Sequence, residues 1–143
     1  MQRMQDLFRL VPYTICPYKE IPQREAYYQS IFYTALTVLG FNIQVELTTN
    51  IGRLDAVIST NDSVFVIEFK LNKSAAEAMA QIQTHDYCQA IAANPLHSQK
   101  DIFAIGANFS TESRNIEEGW LVIRFDRETR GFSDYTLIDS IPK

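Results

Sequence analysis

A chain of 143 residues, 46% of them apolar and 21% charged, is long enough for one domain with a real core and too evenly composed for a low-complexity or disordered polymer. Its net charge of −4 argues against a broad basic nucleic-acid surface; the basic residues are scattered, with one modest cluster at Arg124, Arg127 and Arg130. No apolar run approaches membrane-spanning length, the first residues carry no signal-like stretch, Cys16 and Cys88 have no metal-type spacing and no Walker-type phosphate loop occurs, so a reducing cytosol is the default expectation.

Residues 1–22 read as a lead-in punctuated by Pro12, Pro17 and Pro22, and 23–143 as the domain proper. Residues 24–39 predict a helix. Tyr28, Ile31, Phe32, Ala35, Leu36 and Leu39 fall at helical spacing, and Gly40 is a natural stop. Glu25 and Gln29 are four apart and stack near its N-terminus. A first-turn acid also favours the helix dipole, so Glu25 has a purely local reading as well.

Residues 41–47 predict a strand, and 52–59 with 63–71 a hairpin. Ser74-Ala75-Ala76-Glu77 is a capping box that opens a second helix to about Ala93. On that helix Gln83 and Tyr87, four apart, share a face, whereas Gln81 and Gln83 cannot point the same way. Asn94 to Lys100 predicts a loop, Ile102 to Phe109 a strand, Ser110 to Glu118 a polar loop and Trp120 to Phe125 a strand. A turn over Asp126 to Gly131 and a weak last strand over 132–137 complete the chain. The expected class is α/β: a mixed central sheet flanked by helices in the order αβββαβ, with an extra C-terminal strand region. The step from 64–71 to 102–109 should be a right-handed parallel crossover.

The chemistry concentrates in the hairpin. Side chains alternate faces along a strand, so Val64, Val66, Glu68 and Lys70 share one face and Phe65, Ile67, Phe69 and Leu71 the other. In the preceding strand the same rule sets Arg53, Asp55 and Val57 opposite Leu54, Ala56 and Ile58. Two opposite charges on an apolar face are costly to bury unless paired or holding a metal. A Glu-x-Lys on a strand also describes a surface ion pair. Asp55 brought opposite Glu68 and Lys70 would supply two carboxylates and an ammonium, the parts of a divalent-metal hydrolytic site.

The ordered string Glu25-Ala26-Tyr27-Tyr28, Leu39-Gly40-Phe41, Gly52-Arg53-Leu54-Asp55, Glu68-Phe69-Lys70-Leu71, Ser74-Ala75-Ala76-Glu77, Gln81-Ile82 with Tyr87, and Phe109-Ser110 with Arg114-Asn115-Ile116 resembles the PD-(D/E)xK nuclease superfamily. More narrowly, it resembles the branch found behind ATPase-like domains. The resemblance runs from about residue 22 to 120. It implies a restriction-endonuclease-like core and a metal-dependent nuclease acting on DNA. Asp55, Glu68 and the Phe69 carbonyl would ligate Mg²⁺ or Mn²⁺, with Glu25 joining, often through water. Lys70 would position or deprotonate the attacking water, or stabilise the developing phosphorane charge. Gln81 would be the second helix's contributor; Gln83 with Tyr87 is the alternative, similar to the Q-x-x-x-Y element of recombination-type nucleases. Gln29 stands where this branch often has His, and His85 where it often has Lys; both bear on substrate contacts. Arg53-Leu54 replaces the proline of the superfamily's name. The resemblance also admits a homodimer, an ATPase-like partner, or a non-catalytic regulatory module on the same fold.

Overall fold

The computed structural model describes residues 24–49, 52–133 and 136–138, with the backbone alone at 117–120 and 136–138. The lead-in read over 1–22 lies outside these residues. The described elements are α1 (Glu25–Val38), β1 (Asn42–Thr49), β2 (Gly52–Ser59), β3 (Ser63–Leu71), α2 (Ala75–Thr84), α3 (Tyr87–Ala92), a 3₁₀ turn (Pro95–His97), β4 (Asp101–Ser110), β5 (Asn115–Asp126), β6 (Gly131–Phe132) and β7 (Thr136–Ile138). No helix among them is long and apolar enough to cross a membrane.

The strands form one mixed sheet in the order β1-β2-β3-β4-β5-β6, with β7 also pairing β5. Among the described strands only β3 and β4 run parallel, from Ser63 opposite Asp101 to Leu71 opposite Phe109, as the crossover predicts. Two apolar layers cover the sheet. Under α1 lie Tyr28, Phe32 and Leu36 with Ala56, Ile58, Ile67, Phe69, Ala107 and Phe109. Under α2 and α3 lie Met79, Ile82 and Tyr87 with Leu54, Val57, Val64, Val66 and Ala104. The two faces read for β3 are thus the observed ones.

Local chemistry sets the helix ends. Gly40, at φ +83°, and Phe41 close α1 by donating backwards to the Thr37 and Leu36 carbonyls, which satisfies two otherwise orphaned acceptors. The Ser74 hydroxyl accepts the Glu77 N–H at 3.1 Å, the capping box expected there. A Cβ at Gly106 would lie 2.4 Å from the Ala75 carbonyl, so this glycine is what lets α2 settle directly onto β4.

Four readings change. The second helix is two: Asp86 is left-handed (φ +50°), and the chain restarts as α3. Asp tolerates that conformation, and the Tyr87 hydroxyl, fixed on the Arg53 carbonyl at 2.8 Å, holds the turn against β2. The long polar loop shrinks to 111–114, because β4 and β5 pair out to Ser110 and Asn115. The weak last strand is two short ones, β6 and β7, with 134–135 outside the described residues. Finally, the alternation read for β2 breaks. Leu54 and Val57 lie in the α2 layer, and Ala56 and Ile58 in the α1 layer. The break falls at Asp55, whose position opposite Glu46 is the one missing step in the β1–β2 ladder; Glu46 itself sits at φ +49°.

Candidate metal centre

The β2–β3 ladder ends at Ala56 opposite Ile67, one residue short of Asp55 and Glu68. The strands part there, and the gap admits groups from both layers. Asp55 Oδ2 accepts the Phe69 N–H at 2.9 Å, replacing the ladder bond that the parting removed. The N–H and C=O of a strand residue lie on one edge, so the Phe69 carbonyl belongs to the same gap.

Glu68 is 3% exposed. Gln81 donates its amide N–H to Glu68 Oε1 and accepts from the Lys70 ammonium, bridging the two. Lys70 Nζ also stands 3.7 Å from Glu68 Oε1. Gln81 reaches them because α2 lies so close over Gly106, the register partner of Glu68. Glu68 Oε2 is buried and has no hydrogen-bond partner. Burial first, then the Asp55 carboxylate, pushes the Glu68 carboxyl up to about 8. Burial likewise raises Asp55, against the opposing pull of the Phe69 N–H and Lys70.

From the other layer, α1 delivers Glu25, whose Oε1 accepts from the Gln29 amide at 3.0 Å. Burial and the Asp55 charge raise the Glu25 carboxyl. Tyr33, one turn beyond Gln29, donates to the Asp55 carbonyl at 3.1 Å. Its hydroxyl is held well above the ordinary tyrosine range by burial, then by Asp55, Glu46 and Glu68. Sequence reasoning missed Tyr33, although extending the four-residue spacing of Glu25 and Gln29 finds it.

The structure therefore gathers Asp55, Glu68, Lys70, Gln81 and Glu25, with Gln29 behind Glu25. It does not join Gln83 to Tyr87: they lie on different helices. Tyr87 is buried and serves to dock α3 on Arg53, with the His85 ring stacked on it at 5.3 Å. Gly52 makes room for that stack, since a Cβ there would lie 2.9 Å from the Tyr87 hydroxyl. Two arginines of the cluster read at 124, 127 and 130 are engaged within the fold. Arg124 pairs with Asp101 at 2.7 Å, and Arg127 turns onto main-chain carbonyls.

The donors suit a hard divalent ion. They are oxygens alone, one buried carboxylate oxygen lacks a partner, and the Asp55 charge raises the proton affinity of both Glu68 and Glu25. Among the described residues no three His, Cys, Asp or Glu side chains converge closely enough to hold an ion by themselves. Asp55 and Glu68 would need the main-chain carbonyl and water to complete a shell.

Comparison with known sequences agrees with this picture. The profile of the PD-(D/E)XK nuclease superfamily matches residues 23–119, more than half of the chain. A protein of Azotobacter chroococcum mcd 1, described as an uncharacterized protein in the vnfD 5' region, is 29% identical over 113 residues. That alignment covers 76% of this chain and 21% of the relative, so the chain spans about a fifth of the relative's length.

Proposed function

The chain belongs to the PD-(D/E)XK nuclease superfamily, and from that premise we propose that it hydrolyses phosphodiester bonds in DNA with Mg²⁺ or Mn²⁺. The observation that carries the reading is the partnerless, buried Glu68 Oε2 beside Asp55, with Lys70 tied to Glu68 through Gln81. Asp55, Glu68 and the Phe69 carbonyl would hold the ion, with Glu25 reached through water. Once bound, such an ion polarises the scissile phosphate and acidifies a water molecule.

The chain's own groups do the rest. Lys70, its side chain 16% exposed, is aimed by Gln81 so that its ammonium meets the phosphate or the incoming water at a fixed place. Gln81 spans the acid and the base, so neither collapses fully onto the other. Tyr33 and the Phe69 N–H fix Asp55 from its carbonyl and carboxylate ends. Gln29 orients Glu25. A domain that hydrolyses DNA only within a longer protein, or beside an ATPase-like partner, is the second reading. It is favoured by the small share of the Azotobacter relative that the chain covers.

The test is plasmid or linear DNA incubated with Mg²⁺ or Mn²⁺ beside a Lys70→Ala control. The variant should lose ~10²–10⁴-fold in rate. Equal cleavage by parent and variant, or none by the parent with either ion, overturns the proposal.

A further inference from the structure

A second cationic feature lies away from the carboxylates. A cavity of about 270 Å³ on the β1–β2 face is lined by Asn42, Gln44, Ser59, Leu96, His97 and Lys100, with Val57 as its floor. Asn42 and Gln44 are register partners of Ser59 and Val57, so the four lie side by side. α2 covers β3, β4 and β5, which leaves this part of the sheet to the cavity.

Lys100 is fixed in the wall. Its ammonium donates to the Ser59 hydroxyl at 2.8 Å and the Thr60 carbonyl at 2.6 Å. An ammonium has three donors, so one remains. Lys100 is half-buried and has no carboxylate partner among the described residues. Arg127 stands behind it, donating to the Lys100 carbonyl at 2.9 Å and to the carbonyls of Ala92 and His97. One cation with no carboxylate partner among the described residues, Lys100, therefore lines this cavity, with Arg127 behind it, in a chain of net charge −4. His97 responds to them: burial first, then Lys100 and Arg127, lower its proton affinity. Its Nδ1 is buried without a partner, and Leu96 beside it is 80% exposed. Unpaired positive charge, amide donors and an uncovered apolar side chain together describe a seat for a phosphate with its attached sugar or base.

We infer that this cavity is a second phosphate-binding site that holds the backbone of the substrate strand. The reading rests on the nuclease assignment of the carboxylate centre. Val57 and Ser59 lie two and four residues beyond Asp55 on β2, about 7 and 13 Å along the strand. At 3.4 Å per nucleotide that is roughly two to four nucleotides from the bond to be cut. The cavity gives an acidic domain a local grip on a polyanion without a basic surface.

The experiment measures binding of labelled DNA single strands of about four and about ten nucleotides, in Mg²⁺ and on a Lys70→Ala background that spares them from cleavage. The longer strand should bind at least tenfold more tightly. Lys100→Met, or independently the exposed Gln44→Ala, should remove most of that gain. Lys100→Met should also reduce the salt slope of binding by about 0.7, one phosphate contact. A gain that survives both variants overturns the site. Titration with inorganic phosphate, followed through the Asn42 and Gln44 side-chain amide resonances, distinguishes the source of the anion. Amide shifts with phosphate but no length-dependent gain would mean a free-ion site and overturn the strand assignment. A Lys100-dependent gain in a parent chain that cleaves nothing would overturn the nuclease reading, and with it the strand's role as substrate, while the cavity's grip on the strand stands.

Discussion

Asp55 Oδ2 accepts the main-chain N–H of Phe69 at 2.9 Å, just where the β2–β3 ladder stops. A side chain thus completes the sheet's hydrogen bonding, and the same side chain is the first ligand of the proposed centre. Asp55→Asn can keep the acceptor while removing a half-buried charge. Asp55→Ala leaves the Phe69 amide unpaired, at a cost of ~1–3 kcal/mol. Denaturant unfolding without metal should rank alanine clearly below asparagine. Equal stability would mean the bond contributes nothing.

Glu68 should make the metal-free protein less stable as pH rises. Its carboxyl sits at about 8 in the fold against an ordinary 4.5, so the folded state holds a proton that the unfolded state releases. Stability from this group is greatest below about pH 4.5 and falls through the window up to about pH 8, by a few kcal/mol in order of magnitude. The raised Glu25 and Asp55 carboxyls act in the same direction. Glu68→Gln should flatten the slope and hold or raise stability at neutral pH. Thermal melts across that range, with chelator present, decide it; a parent whose stability climbs with pH contradicts the assignment.

Mg²⁺ or Mn²⁺ should raise the melting temperature of the parent. At ~100-fold over Kd the stabilisation is about 2.7 kcal/mol, and the expected shift is roughly 5–10 °C. Glu68→Gln should lose that shift. A metal response that persists in this variant would place the ion elsewhere.

Gln81→Ala should slow cleavage by roughly tenfold to a hundredfold while the melting response to metal survives. Gln81 bridges Lys70 and Glu68 but supplies no carboxylate. If the melting response disappears together with activity, Gln81 holds the site's structure rather than aiming its lysine.

Gly106→Ala should destabilise the fold by about 1–3 kcal/mol, because the new methyl would push the Ala75 turn off β4. Since α2 carries Gln81, cleavage should fall more steeply than stability. A variant as stable and as active as the parent would show that α2 has slack.

Much of the candidate centre was legible because strand alternation holds along β3, which is buried on both faces. Glu68 and Lys70 fell on the face where α2 arrives, and Gln81 on that helix meets them. The parity of Asp55 was not legible. Glu46 at positive φ carries no sequence signature, yet together the pair shifts Leu54 into the other layer. The break at Asp86 was hidden for a similar reason. The decisive contact, the Tyr87 hydroxyl on the Arg53 carbonyl, joins residues distant in sequence. Charge counting also cannot see that Arg124 meets Asp101 while Arg127 faces carbonyls.

The parallel pairing of β3 with β4 bears on how the domain is made. Glu25, Asp55, Glu68, Lys70 and Gln81 all precede the strand that walls Glu68 in, since β4 begins only at Asp101. On a ribosome, which releases the N-terminal part of a domain first, the charged groups emerge while the hairpin is still wet on that edge. The carboxyl groups of Glu25, Asp55 and Glu68 ionise freely there, as they would in an unfolded peptide. The centre acquires its abnormal proton affinity only when β4 slides in beside β3 with α2 above it. Maturation of the site is thus coupled to the slowest kind of contact in the chain, a non-local parallel pairing. A nascent chain stalled before Asp101 should be chemically inert.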